Sequence, residues 1–466
     1  MGISVERPPP PCYAQPLKVR SKSFVVNHLR RSMPNDRFEV VIVGAGLSGV
    51  AAALILARNG VEVLVIERGD FPGAKNLFGG ILYSGVLADL VPKFWEKAPI
   101  ERHIVNRRWV VLDVDSQVAL DLKSAHFDKP PYNNTFTALR SRFDRWFAEQ
   151  AEEEGALIIC ETTVEGLLTE GDRVVGVRTG RDDGDVFADC VILAEGANSL
   201  LSEAAGLRRK MTPGNRVNAV KEVLALPSEI IEDRFHLEGS QGAAVEYFGG
   251  AVKGMVGSAF IYTNRDSISV GVGCLIEDYL RSKTAPYELL DEFKAHSSVA
   301  PLLRGGETVE YATKMIPEDS YDDFSDLYAA GVMLVGDCAG LVNPSIHHEG
   351  TNLAMASGVF AAEAFLEARE KQDFSRSGLE SYRNRLDASW VMQDLEHYRG
   401  TVDFLRANRE FVDSYPRITV ELMRDYFTVD DTPKAEVRRR LMRKVRDEVN
   451  FFRLVRQLWQ ARKTLV

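Results

Sequence analysis

From Phe38 onward, apolar and polar positions alternate in blocks that have the lengths of strands and helices. Phe38–Val43 is an apolar run, Ser48–Asn59 carries apolar residues at helical spacing behind a glycine turn, and Val61–Glu67 is a second apolar run that ends on a carboxylate. Short apolar runs predict strands buried on both faces, and this order predicts a βαβ unit of about 30 residues. A charge-alternating helix is predicted over Ser141–Glu154 with Gly155 as its stop, followed by strands at Leu157–Cys160, Val164–Thr169, Val174–Thr179 and Cys190–Ala194. Leu207–Thr313 is rich in β-branched residues and glycine, with strands at Phe260–Tyr262 and Ser267–Gly273, which predicts an inserted antiparallel sheet. A strand at Val332–Val335, a helix over Thr351–Arg369 and a mostly helical remainder follow. No internal repeat is visible.

Composition narrows this picture. The chain is 45% hydrophobic and 27% charged over 466 residues, ordinary for a globular protein, and its net charge of -10 argues against nucleic acid as a ligand. Cys12, Cys160, Cys190, Cys274 and Cys338 are scattered, with no C-x-x-C spacing. An iron–sulfur cluster needs about four converging thiolates, so the chain is expected to carry no cluster or other metal of its own. Scattered thiols without a secretory signal fit a reducing cytoplasm. Val40–Ala57 is apolar and as long as a membrane span, but its glycines sit where a strand turns into a helix. Residues 1–37, with Pro8–Pro11 and a basic stretch from Lys18 to Arg31, read as a tail.

The first chemical signal is Gly44-Ala45-Gly46-Leu47-Ser48-Gly49. Gly44 permits a tight turn, Gly46 lets the backbone approach a pyrophosphate, and Gly49 lets helix and strand pack closely. The helix N-terminus offers free N–H groups and partial positive charge to phosphates. Glu67, 18 residues after Gly49, ends the next strand, where a carboxylate accepts ribose hydroxyls and disfavours a 2′-phosphate. A second such motif is absent, because Gly271-Val272-Gly273 has Ile276 in the third glycine's place. Gly336-Asp337 closes a buried strand ahead of a helix, the place where two-lobed flavoproteins bond the ribityl chain of FAD. These signals predict non-covalent FAD.

The fold class expected is α/β: a Rossmann-type FAD-binding domain of the two-lobed glutathione-reductase-like class, an inserted antiparallel β-sheet domain and a helical C-terminal region. Its expected parts are 38–205 and 314–369 for the nucleotide domain, with an excursion near 85–135 to the second lobe, 206–313 for the sheet domain, and 370–466 for the helices. Cofactor contacts are expected at Gly44, Ala45, Gly46, Leu47, Ser48, Gly49, Glu67 and Arg68, and at Lys75, Asn76, Gly79 and Gly80 in the loop from Pro72. Further contacts are expected at Arg140, Val164, Ala194, Gly196, Gly336, Asp337, Gly350, Thr351 and Asn352. Arg140 with Asp144 reads equally as a phosphate clamp and as a surface i,i+4 pair. His347, His348 and Glu349 form either a proton relay at the flavin edge or a polar loop facing solvent or a partner. No paired carboxylates or nucleophilic triad stand out, and electron transfer requires none.

With these pieces in place, the sequence resembles the electron-transfer-flavoprotein:quinone oxidoreductase family, in its FixC/EtfC branch. The resemblance runs from Phe38 to about Lys434 and rests on VVIVGAGLSG, ERGDFPGAKNLFGGILY, LRSRFDRWF, ILAEGANS, AFIYTNRDSISVGVG, VGDCAGLV and GTNLAMASG. WVMQDLEHYRG and YPRITVELMRDYFTVDDTPK, which general flavin monooxygenases lack, make it specific. It implies an FAD subunit that accepts electrons from the electron transfer flavoprotein alpha and beta subunits and reduces a membrane quinone. In this branch the assembly also holds a small ferredoxin-like iron–sulfur subunit and bifurcates electrons from NADH. Long family members carry a cluster near the C-terminus; here no cysteine follows Cys338, in keeping with a separate iron–sulfur subunit. A geranylgeranyl-reductase-like or aromatic-hydroxylase-like enzyme using NAD(P)H on a small substrate is the alternative.

The C-terminal stretch Arg438–Lys463 holds ten Lys/Arg against Asp447 and Glu448, with Leu441, Val445, Phe452, Val455 and Trp459 at helical spacing. A basic amphipathic helix there predicts contact with a membrane surface or a partner, and so a protein peripheral to the inner face of the cell membrane.

Overall fold

The computed structural model describes residues 37–466 except 77–79, 319–320, 322–323, 325, 463 and 466. The expected N-terminal tail, and Gly79 of the glycine loop, lie outside the described residues.

The strands divide between two sheets. The first holds β1 (Arg37–Val43), β2 (Val63–Ile66), β7 (Leu157–Ile159), β8 (Val164–Glu170), β9 (Arg173–Thr179), β10 (Asp185–Leu193), β16 (Tyr328–Ala329) and β17 (Val332–Leu334). Its order is β16-β17-β10-β1-β2-β7, with the β8–β9 hairpin attached through β9 to β10. Pairing from β17 through β7 is parallel. Val40, Val41, Ile42, Val63, Leu64 and Val65 are buried, as a parallel strand covered on both faces requires.

Helix α1 (Leu47–Arg58) returns from β1 to β2 and is buried almost all round, because α2 (Arg140–Glu153) and the long α4 (Thr351–Lys371) pack on it. Small residues make that packing possible. A Cβ on Gly358 of α4 would sit 2.1 Å from the Ser48 carbonyl oxygen, so the two backbones touch there.

The second sheet takes β3 (Gly80–Tyr83), β4 (Ile100–Leu112), β5 (Gln117–Lys123), β6 (Thr135–Ala138), β11 (Arg216–Ala225), β12 (Gln241–Gly249), β13 (Gly257–Thr263), β14 (Ser267–Leu275) and β15 (Glu307–Pro317). Its order is β15-β11-β14-β13-β12-β4-β6-β3, with β5 on β4. It is antiparallel except at β4–β12, where strands from two separate excursions of the chain meet in parallel. The sheet draws on Gly80–Ala138 as well as on Arg216–Pro317. Its back face packs Val220, Val245, Ile261, Val270 and Val272 against α3 (Pro286–Ala295) and its neighbouring helices. Its front face is left for the site.

The C-terminal region contains α5 (Ser414–Phe427), α6 (Lys434–Glu448) and α7 (Phe451–Ala461). The single basic helix expected over Arg438–Lys463 is thus two helices, since Asn450 breaks the run and caps α7 by accepting the Arg453 N–H at 3.0 Å. No helix of the described residues is long and apolar enough to cross a membrane.

Candidate functional site

The phosphate loop joins β1 to α1. Gly44 has φ +106°, and a Cβ there would meet the Ala194 carbonyl oxygen at 2.4 Å, so the loop presses against the end of β10. A Cβ on Gly49 would lie 2.1 Å from the Gly44 carbonyl oxygen, which closes the turn onto the helix. Over Gly46 the space is open, with only Asn76 Nδ2 within 4 Å, at 3.9 Å. Backbone donors facing such a space fit a dinucleotide pyrophosphate.

Glu67 stands beside this turn. Its carboxylate accepts the Ala45 N–H at 2.9 Å and the Gly69 N–H at 2.7 Å, which fixes its direction and leaves lone pairs for hydroxyl donors. Arg68 and Lys75 are exposed. Asn76 donates to Asp144 at 2.9 Å. Val164 lies further out on β8, paired with Thr179.

Arg140 and Asp144 are no surface pair. Arg140 donates to Asp144 at 2.6 and 2.9 Å, with the two side chains 14% and 1% exposed. Burial opposes the guanidinium charge, but Asp144, with help from Asp337, raises its pKa. Gly73 explains the close packing, since a Cβ there would meet the Asp144 Cβ at 2.7 Å. The Pro72 loop therefore seats on the N-terminus of α2.

Gly336-Asp337 follows β17, with the Gly336 N–H donating to Ser357 of α4 at 2.9 Å. Arg208, which sequence reasoning missed, donates to the Asp337 and Cys338 carbonyls, both at 2.7 Å, and holds this turn in place. Lys314 lies 3.7 Å from the Asp337 carboxylate. Ala194 and Gly196 flank the same crevice at the end of β10. Gly350 caps α4, but the side chains of Thr351 and Asn352 are already engaged. Thr351 Oγ1 accepts the Tyr83 N–H at 3.0 Å and donates to the Tyr83 carbonyl, while Asn352 accepts the Val86 N–H at 2.9 Å. These two residues tie the second sheet to α4, and offer a ligand the backbone of the helix N-terminus.

The front face of the second sheet looks toward this crevice and carries chemistry that hydrophobic periodicity does not reveal. Strand registers align Trp109, Glu246, Phe260, Gly271, Lys221 and Ala312 in one row across β4, β12, β13, β14, β11 and β15. At one end, Lys221 is fully buried, 3.5 Å from Glu310. Burial pulls its ammonium down to about 8, against the pull of Glu310. At the other end, buried Glu246 accepts from Trp109 Nε1 at 3.0 Å, with Arg107 at 3.8 Å and His348 at 4.0 Å. Arg107 donates to the Tyr83 hydroxyl at 3.2 Å, and that hydroxyl donates to the His347 carbonyl at 2.9 Å. The available signal was a charged residue in an inward strand position, as in Val220-Lys221 and Val245-Glu246-Tyr247.

Gly271-Val272-Gly273 lies in mid-strand. A Cβ on Gly271 would meet the Phe260 ring at 2.4 Å, so this glycine makes room for an aromatic ring and forms no phosphate loop.

Comparison with known proteins places this geometry. The "FAD dependent oxidoreductase" family model matches residues 39–253, and the "ETF-QO/FixC family C-terminal domain" model matches residues 402–465. Protein FixC of Bradyrhizobium diazoefficiens is 44% identical over 407 residues, 87% of this chain and 93% of its own. The probable electron transfer flavoprotein-quinone oxidoreductase YdiS of Escherichia coli is 40% identical over 88% of this chain and 95% of its own. A geranylgeranyl bacteriochlorophyll reductase-like protein of Thermoplasma acidophilum superposes with a TM-score of 0.69 at 21% identity, over 89% of this chain and 97% of its own. That last likeness speaks to the fold alone.

Proposed function

This chain belongs to the ETF-QO/FixC family of FAD-dependent oxidoreductases, and from that premise we propose that it takes electrons from an electron transfer flavoprotein and passes them to a membrane quinone. Bound FAD supplies the redox chemistry, since a flavin accepts electron pairs and releases them singly or together. The chain's own residues supply position and field. Gly44–Gly49 and the N-terminus of α1 cradle the pyrophosphate, Glu67 meets the ribose, and Arg140 contributes positive charge. Asp337 and the Ala194–Gly196 segment would hold the middle of the cofactor, and the N-terminus of α4 at Gly350 would stabilise negative charge on the reduced ring.

The observation that carries a protein donor over NADH is the fate of the only other glycine pair of the motif type. Gly271 and Gly273 are strand residues, the first under the Phe260 ring and the second against Ala219 and Val217, so the described residues offer one dinucleotide turn. Donor and acceptor therefore reach this chain through surfaces. The reading extends to an NADH-dependent bifurcating assembly with a small iron–sulfur subunit. Purified holoprotein is expected to reduce quinone when supplied with reduced electron transfer flavoprotein, and to contain one FAD and no iron. Reduction by NADH alone at a catalytic rate would overturn it in favour of the NAD(P)H-dependent alternative.

Membrane contact is proposed through α7, which packs with its polar side inward. Gln457 is buried, accepting from the Tyr415 hydroxyl at 2.6 Å and donating to Asn408 at 3.0 Å, while Phe451, Phe452, Val455, Leu458 and Trp459 are exposed. Flanking arginines on α6 and α7 suit an anionic lipid surface, and a protein seated there is peripheral to the membrane's inner face.

A further inference from the structure

Glu246 presents a contradiction that the fold does not resolve by itself. Its side chain is 2% exposed, and one carboxylate oxygen is satisfied by Trp109 Nε1 at 3.0 Å. The other has no hydrogen-bond partner. Buried carboxylate oxygens are nearly always paired, and one left unpaired carries the full penalty of its desolvation. Two cations or potential cations stand just beyond bonding range, Arg107 at 3.8 Å and His348 Nδ1 at 4.0 Å.

His348 is the exposed member of this set. It sits in the loop before α4 with φ +47°, and its side chain is 40% exposed. Glu246 and Arg107, by contrast, are locked into strands. A rotation that brings Nδ1 from 4.0 Å to about 2.8 Å would complete Glu246 and leave Nε2 free to donate to a ligand. Phe260, opposite Glu246 across the strand pair, stacks on Tyr262 with centroids 4.7 Å apart and planes 14° from parallel.

We infer that His348 is the acid that protonates a carbonyl oxygen of an acceptor bound beside it at the second sheet, with Glu246 as the residue that positions and charges it. This rests on the quinone reading above. As the acceptor gains two electrons from the oxidoreductase centre, one carbonyl oxygen takes the imidazolium proton and forms an O–H bond. The second oxygen takes its proton from water, the two C=O bonds become C–O single bonds, and His348 is recharged from solvent. The groups facing His348 are Glu246, Arg107 and His347, and Glu349 shares its loop. Burial and then Arg107 and His347 push its pKa below the usual histidine value, while Glu246 pulls it up. The imidazolium is thus a stronger acid than a free histidine's, and Glu246 offsets part of its loss of population.

The test uses chemically reduced holoprotein mixed in a single turnover with either a short-chain quinone or ferricenium, which accepts an electron without a proton. His348→Asn and Glu246→Gln are each expected to slow quinone reduction by about 10²-fold, and to leave ferricenium reduction within twofold of wild type. The wild-type quinone rate is expected to fall as pH rises through the His348 pKa. Glu246→Gln shifts that limb to lower pH, and His348→Asn abolishes it. Quinone affinity, measured by equilibrium quenching of protein fluorescence, is expected to survive in His348→Asn. Equal slowing with both acceptors, or an unchanged quinone pH profile in both variants, overturns the assignment. Wild-type protein that reduces ferricenium but no quinone removes the quinone reading itself, and this assignment with it.

Discussion

Single residues here are informative where a charge occupies a place that packing alone would give to an apolar side chain. Lys221 is the plainest case, a fully buried ammonium whose pKa burial pulls to about 8. An unfolded lysine titrates near roughly 10.4. Between those values the unfolded chain holds a proton that the folded chain does not, so stability rises with pH there, and the full burial penalty applies below about 8. Lys221→Met in cofactor-free protein is expected to remove this limb. The stability gap between variant and wild type, from urea unfolding at pH 7 and pH 10, should shrink by about 1–3 kcal/mol at the higher pH. A gap that stays constant would place the lysine's proton elsewhere.

At the scale of elements, the seams between helices and sheets decide what holds. Asp278, on the short helix after β14, accepts from Arg409 of the C-terminal region at 2.9 Å and accepts the Val256 N–H at 2.7 Å. Burial pushes its carboxyl up, but the Arg409 and Val256 hydrogen bonds prevail and hold it below the usual value. Its contribution is therefore full above about pH 4 and fades as pH falls through the lowered value. Asp278→Ala is expected to cost about 3–5 kcal/mol at neutral pH, by denaturant melts, because it strands a half-buried guanidinium. Asp278→Asn should also flatten the acid limb. Helix α7 gives the opposite kind of seam, polar within and apolar without. The double substitution Phe452→Glu and Trp459→Glu is expected to weaken binding to anionic vesicles at least 30-fold, since each aromatic contributes about 1.5–3 kcal/mol on burial. Its melting temperature should not change, because the Gln457 contacts are untouched. Unchanged vesicle binding would assign the face to a protein partner.

At the scale of the whole molecule, the described residues set the glycine turn at the end of the parallel sheet and tie the second sheet to α4 beside it. FAD binding to the folded form alone stabilises by about 2.7 kcal/mol at a hundredfold excess over the dissociation constant. FAD added to cofactor-free protein is thus expected to raise the melting temperature by several degrees, while NADH at equal concentration leaves it unchanged. A comparable shift with NADH would reveal a nicotinamide site that the fold's single glycine turn does not supply.

The chain by itself determined the βαβ unit, the helix at Arg140, the strand before Gly336 and the long α4, because each is set by local periodicity and glycine chemistry. It also determined the cofactor class, since Gly44–Gly49 and Glu67 work within one continuous unit of about 30 residues. Two things were beyond its reach. An excursion near 85–135 to the second lobe was expected, but not that its strand β4 pairs in parallel with β12, more than a hundred residues later, since no local pattern assigns such a partner. The meeting of Tyr83, Arg107, Glu246 and His348 is likewise tertiary, created by a parallel junction of two excursions and by Thr351 stapling β3 to α4. Arg140–Asp144 shows the same limit in miniature. Its spacing is that of a surface pair, and only the packing of the Pro72 loop turned it into a buried charge beside the crevice.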